Sequence, residues 1–320
     1  MPAHRYALPS QITNTGDDEV IDIPERVNSE RYLTLRARLD TGLRTLLMPA
    51  SPSLQKLYSA MAYGVFEPGK CLRPMLAYSA CEAMGGQLDA ADGAACAVEL
   101  LHTYSLVHDD LPAMDDALVR RGKPALHVAY GESTALIAGD ALQALAFESL
   151  TQSSQVSAGI RLQMVEVLAK AAGPAGLAGG QFLDMTLAGD RPNNDQIAEM
   201  QRLKTGALIE ASVVLGAMAS GADLQTSRFV AMSKYAEQIG RAFQVRDDIL
   251  DVVGDPLLLG KATCADRRAD KSTVVSSRGL EGARQYASQL LLGALTSLDA
   301  FGAEADELRQ LAHVVVARSF

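Results

Sequence analysis

From about residue 30 onward, apolar residues recur at intervals of three and four, the spacing of one helix face rather than the alternation of a strand. In residues 31–47, RYLTLRARLDTGLRTLL, Leu33, Leu35, Leu39, Leu43 and Leu46 have spacings compatible with one face, which predicts an amphipathic helix. Residues 94–110, AACAVELLHTYSLVHDD, are apolar nearly all round, as in a helix buried on every side. Segments 133–152, 159–172, 194–220, 228–253 and 280–299 read the same way, separated by glycine-containing breaks such as GPAGLAGG, SGADLQ and VVGDPLLLG. No strand alternation, fixed-period repeat or dividing linker is found. The expected fold is all-α, with a polar extension over 1–28 that carries three prolines and one large helical domain over 29–320.

Composition agrees with helix packing. The chain has 320 residues and is 48% hydrophobic, but only 5% aromatic and without tryptophan, whereas sheets favour aromatic and β-branched residues. A net charge of −9 argues against a nucleic-acid partner, which would require a basic face. Seven of the acids fall in two short motifs, Asp109, Asp110, Asp115 and Asp116, then Asp247, Asp248 and Asp251. Cys71, Cys81, Cys96 and Cys264 show no metal-ligand spacing, so a reducing cytoplasm is the simple expectation. No stretch has the layout of a signal peptide, and no apolar run approaches the roughly eighteen residues of a membrane span. A soluble protein is expected.

The candidate chemistry lies in the acids. VHDDLPAMDDALVRRGKP, residues 107–124, crowds four carboxylates into eight positions around a proline and follows them with two arginines. Unneutralised, these carboxylates repel one another, so the stretch is either a solvated loop or a seat for something strongly positive. Pro112 should end the preceding helix and allow the chain to bring Asp115 back toward Asp109. In FQVRDDILDVVGD, Asp247 and Asp251 are one helical turn apart on one face, with Asp248 on the flank. Carboxylates in this excess suit Mg2+, which takes a few protein oxygens and the rest from water and phosphate. Lys70 and Arg73 in GKCLRP, Arg120, Arg121, Lys204, Lys261 and Lys271 supply cations that a metal site alone does not need. Together they suggest one phosphate group held through metal and another held directly.

The stretches GKCLRP, HTYSLVHDDLPAMDD…RRGKP, GDAL, GGQFLDM, KTGALI, GRAFQVRDDILDVVGD and GK…DKST resemble, in order and rough spacing, the successive motifs of the isoprenyl diphosphate synthases. The resemblance covers about residues 54–290 and is strongest to the bacterial farnesyl-type enzymes. It implies an all-α bundle with the two aspartate motifs facing each other across a deep pocket. Asp109, Asp115, Asp247 and Asp251 would serve the magnesium ions, with Asp110 and Asp248 in support; Arg120, Lys204 and Lys261 would hold an allylic diphosphate, with Lys271 also in the substrate site. Lys70, Arg73, His102 and Arg121 match positions that bind isopentenyl diphosphate. Thr205 and Gln244 match oxygens aimed at a developing carbocation, and Gln181 is a further pocket candidate. The implied reaction is condensation to farnesyl diphosphate with release of pyrophosphate, carried out by a homodimer.

Tyr104 lies five residues before Asp109, about 7–8 Å down a helix axis, where a bulky side chain would form a floor and limit product length. Rotation about the helix places it away from the face of Asp109, so geranyl and geranylgeranyl products stay open. Ala117, Leu118 and Val119 stand where the family commonly has further acids, a departure that bears on rate or substrate preference. Plainer roles compete for several residues: His108 and His127 as structural, Asp140 and Asp184 as caps or braces, and Arg318 as part of a solvated last helix. A terpene cyclase would not need Lys70, Arg73 and Arg121 for a second diphosphate, and a non-catalytic regulatory subunit would be expected to lose one aspartate motif.

Overall fold

The computed structural model describes residues 30–67, 69–187, 193–253 and 273–317. The polar extension, Cys264, Lys261, Lys271 and Arg318 lie outside the described residues. Helix α1 (Glu30–Leu46) buries Leu35, Leu39 and Leu43, and Leu47 just beyond it continues the stripe. Leu33 does not belong to that face and is 53% exposed, because it lies two residues, some 200° of helical rotation, from Leu35. A short 3₁₀ turn at Pro52–Leu54 leads into α2 (Gln55–Val65), followed by α3 (Leu72–Ala83).

Helix α4 (Leu88–Asp109) runs through the interior. Its residues from Ala94 to Leu101 are all buried, as the all-round apolar pattern predicts. It packs against α1, α3, α6 (Glu132–Thr151) and α10 (Ala207–Ala219), and its many alanines permit close approach. Between α4 and α6 lie a two-residue antiparallel pair, β1 (Val119–Arg120) with β2 (Lys123–Pro124), and the short α5 (Leu126–Tyr130). That hairpin is the only sheet among the described residues. Its two turn residues, Arg121 and Gly122, both have positive φ (50° and 78°), as a turn of the primed type requires.

The second half comprises α7 (Ala158–Ala172), α8 (Leu177–Leu187), α9 (Asn194–Gln201), α10, α11 (Ser227–Val253), α12 (Val274–Ser297) and α13 (Asp306–Ala317). Segment 194–220 is not the single helix its periodicity predicts. Between α9 and α10, residues Arg202–Gly206 form a π-type turn, closed by the Ala207 N–H donating to the Arg202 carbonyl. A widened turn of this kind is frequent at functional sites, and here it carries Lys204 and Thr205. Buried residues from Leu35 to Val315 form one contiguous apolar cluster. Cys71, Cys81 and Cys96 are buried and unpaired, and among the described residues no helix is long and apolar enough to cross a membrane.

Candidate active site

Helix α4 stops at Asp109, and the chain folds back over its end. The Asp115 N–H donates to the Asp109 carbonyl (2.9 Å) and the Ala117 N–H to the Asp110 carbonyl (3.2 Å), satisfying groups that the helix terminus leaves open. The return of Asp115 toward Asp109 therefore follows from the break at Pro112. Asp110 is only 2% exposed and is gripped by Arg120, whose Nε lies 3.0 and 3.1 Å from the two carboxylate oxygens while Nη2 also bonds Oδ1. Asp109 has a different environment. Burial pushes its carboxyl up to about 6, Asp115 and Asp110 add to the rise, and Lys204 and Arg120 oppose it.

Lys204 acts on this end of α4 through its charge. Its Nζ donates to Asp184 on α8 at 2.7 Å, and α8 can come that near because Gly180 has no side chain. A Cβ on Gly180 would lie 2.1 Å from the Lys204 backbone nitrogen. Next to Gly180, Gln181 is buried with neither amide atom hydrogen-bonded, and on α11 the Gln244 Nε2 is likewise buried without a partner. Gln244 also lines a cavity of about 700 Å³ bounded by α9, α10, α11 and α12. Asp248 is 2% exposed, and its two oxygens accept from the Gln201 side chain and the Val274 N–H, so it braces α11 against α9 and α12. Asp251 is buried and Asp247 partly buried on the same helix.

A third group gathers behind the hairpin. Burial, then Arg73, Arg121 and Arg120, holds His102 well below the ordinary histidine range, so its ring is neutral near pH 7. The guanidinium of Arg121 lies against Gly69, where a Cβ would be 2.8 Å from Nη1. Lys70 lies in the same loop, its carbonyl accepting from the Tyr32 hydroxyl at 3.2 Å. Two buried glutamates escaped the sequence reading: burial raises the carboxyls of Glu67, opposed by Arg121, Lys123 and Arg120, and of Glu99, opposed by Arg73, Arg121 and Arg36. A carboxylate within the otherwise apolar run ELLH was the available signal for Glu99. Tyr104 packs edge-on against His108, with ring centroids 4.8 Å apart, and His108 Nε2 lies 3.0 Å from the Leu136 carbonyl.

Whether these residues suit a magnesium ion can be judged from the donors. Among the described residues, no three acidic, histidine or cysteine side chains converge to cage a metal. Magnesium does not need such a cage, since one or two carboxylates with water and phosphate oxygens suffice. The mutual repulsion of Asp109 and Asp115, and the raised carboxyl of Asp109, are conditions that a bound dication relieves. The donor set fits.

A family model described as polyprenyl synthetase matches residues 54–311. The chain is 48% identical to farnesyl diphosphate synthase of Escherichia coli (strain K12), over 74% of this chain and 80% of that one. It is 38% identical to farnesyl diphosphate synthase of Haemophilus influenzae, over 91% of this chain and 98% of that one. The solved geranyltransferase of Legionella pneumophila superposes with a TM-score of 0.79 at 31% identity, covering 92% of this chain and 99% of that one. With an all-α scaffold, an acidic helix end whose Asp109 feels the charge of Lys204, and a family match over most of its length, the chain belongs to the polyprenyl synthetase family of prenyltransferases.

Proposed function

We propose that the protein condenses isopentenyl diphosphate with dimethylallyl or geranyl diphosphate, giving farnesyl diphosphate and pyrophosphate. The observation that carries this reading is the proximity of Lys204, paired with Asp184, to Asp109 at the end of α4, with a separate cationic group of Arg73, Arg121 and neutral His102 behind it. The two clusters supply two anion sites, as a reaction between two diphosphates requires. Asp109, Asp115, Asp247 and Asp251 would hold magnesium, which when bound neutralises the allylic diphosphate and makes it a better leaving group. Lys204 stabilises the same diphosphate as charge builds on the departing oxygen. Arg120 stands beside it, oriented by its fork on Asp110.

As the allylic C–O bond breaks, its electron pair leaves with pyrophosphate, and the alkene of isopentenyl diphosphate supplies the pair for the new C–C bond. Loss of a proton then restores a double bond, with pyrophosphate as the acceptor. Gln244 and Thr205 would offer oxygens toward the cation, and Gln181, whose buried amide has no hydrogen-bond partner, would be a further polar contact. Lys261 and Lys271 belong to this proposal from the family pattern alone. Tyr104, wedged against His108 near the end of α4, would be the wall that stops growth at fifteen carbons. A homodimer and a cytoplasmic location are expected on the same family grounds.

The test is incubation of the purified protein and Mg2+ with labelled isopentenyl diphosphate, alone and with each allylic diphosphate. Incorporation of label into a fifteen-carbon product is expected. A twenty-carbon product would overturn the chain length alone, consumption of the allylic substrate without incorporation would indicate cyclisation, and no turnover by the protein alone would remove the catalytic reading.

A further inference from the structure

Glu99 is an acid in the interior that the reaction leaves unused. It is 5% exposed on α4, one turn before His102, in a position where an ionised carboxylate is sustained only by nearby cations. Burial raises its carboxyl, and Arg73, Arg121 and Arg36, from three separate parts of the chain, oppose the rise. The Cys71 thiol lies 3.6 Å from Glu99 Oε1, and Arg36 Nη1 is 2.9 Å from the Cys71 sulfur and 3.0 Å from the Gly69 carbonyl. Cys71 takes a left-handed backbone conformation (φ 45°) at the entry to α3, which a residue with a side chain adopts at a cost unless its surroundings hold it. The loop that carries Lys70 and leads to Arg73 is thus held from beneath, at Gly69 by Arg36 and at Cys71 by both Arg36 and Glu99.

We propose that Glu99 is a positioning residue of the isopentenyl diphosphate subsite: through Cys71, and with Arg36 as a second strut, it sets the loop that presents Lys70 and leads to Arg73. This rests on the reading of Lys70, Arg73 and Arg121 given above. Glu99 contacts the loop through Cys71, so it leaves Lys70, Arg73 and Arg121 to attract the diphosphate. What it supplies is aim. Without that acceptor the Cys71 thiol loses its partner, and the left-handed turn at Cys71 loses one of its two holds.

Steady-state kinetics with each substrate varied in turn test the proposal on the full chain with Mg2+. Glu99→Gln keeps the shape but replaces the carboxylate that accepts from the Cys71 thiol with an uncharged, weaker acceptor. Its KM for isopentenyl diphosphate should rise about tenfold, while the allylic KM changes less than about twofold and kcat falls less than about threefold. Glu99→Asp, which retains the charge, should recover most of the loss. Cys71→Ala, which removes one strut at little change in volume, should show the same split at about two- to fivefold and carries the test if Glu99→Gln does not fold. Arg73→Ala is the control for the subsite. If Arg73→Ala raises the isopentenyl diphosphate KM and the Glu99 and Cys71 variants do not, or raise both KM values equally, the role of Glu99 is refuted and the subsite stands. If Arg73→Ala leaves that KM unchanged, the subsite reading and the inference fall together.

Discussion

Asp109 and Asp110 are neighbours in sequence with opposite electrostatic situations. Asp110 is buried but neutralised by the fork of Arg120, whereas Asp109 faces Asp115 and is pushed up to about 6 by burial. An acid whose folded value lies above its unfolded one binds more protons when folded, so its ionisation at pH 7.5 lowers stability. Asp109→Asn should therefore abolish turnover by at least about a hundredfold while raising stability by about 1–3 kcal/mol at that pH. Activity assays beside thermal melts decide this, and a destabilised variant would mean that Asp109 is structural. His102 gives the reverse pH dependence. Its folded value is depressed, so the unfolded chain takes up the extra proton near pH 6.5 and stability falls as the pH drops below about 7. His102→Asn should remove that loss, measured as the difference between wild-type and variant melting temperatures from pH 7.5 to 5.5. A difference independent of pH would show that His102 is not held neutral.

Between elements, the site depends on two backbones meeting. Gly180 on α8 lies so close to Lys204 that an added Cβ would fall 2.1 Å from the Lys204 nitrogen and 2.5 Å from its Cα. Backbone cannot yield as a side-chain tip does, so Gly180→Ala should push the π-type turn away from α8 and weaken the Lys204–Asp184 pair. The expected result is a loss of about 1–3 kcal/mol in stability and at least tenfold in kcat/KM, read from denaturant melts and kinetics. Wild-type values for both would show that the turn has slack. Such a contact is hard to read from sequence. The stripe of Leu35, Leu39 and Leu43 and the apolar run in α4 betray themselves by period, but α3 is buried almost all round and offers no stripe to delimit. The π-type turn hid inside a continuous periodic stretch, because one extra residue shifts the register without interrupting the apolar content. The acidic motifs were conspicuous because charge so concentrated is rare. The partners of Asp110, Asp184 and Asp248 were not, since Arg120, Lys204 and Gln201 reach them through turns and crossings that no fixed spacing encodes.

For the whole molecule, the segment that the family model matches and the segment needed to fold are different lengths of chain. The family match begins at residue 54, beyond α1. Yet Leu35, Leu39, Leu43 and Leu47 are each at most 7% exposed and belong to the common core. At about 1.5–3 kcal/mol for each buried leucine, their removal forfeits an amount comparable to the 5–15 kcal/mol by which a typical domain is stable. The helix also supplies Arg38, whose Nε and Nη2 each lie 2.6 Å from an oxygen of Asp92, and Asp92 in turn accepts from the Tyr78 hydroxyl. With Arg36 under the loop of Lys70, loss of α1 would strip support from both the core and one substrate subsite. A chain beginning at Ala50 keeps every motif and the whole matched segment, so motif content alone would leave it active. Packing leads to the opposite expectation: no cooperative thermal transition, exposed apolar surface on α3 and α4, and no turnover. A melting temperature within a few degrees of the full chain would show that the core closes without α1 and that its leucines only cover a surface already stable.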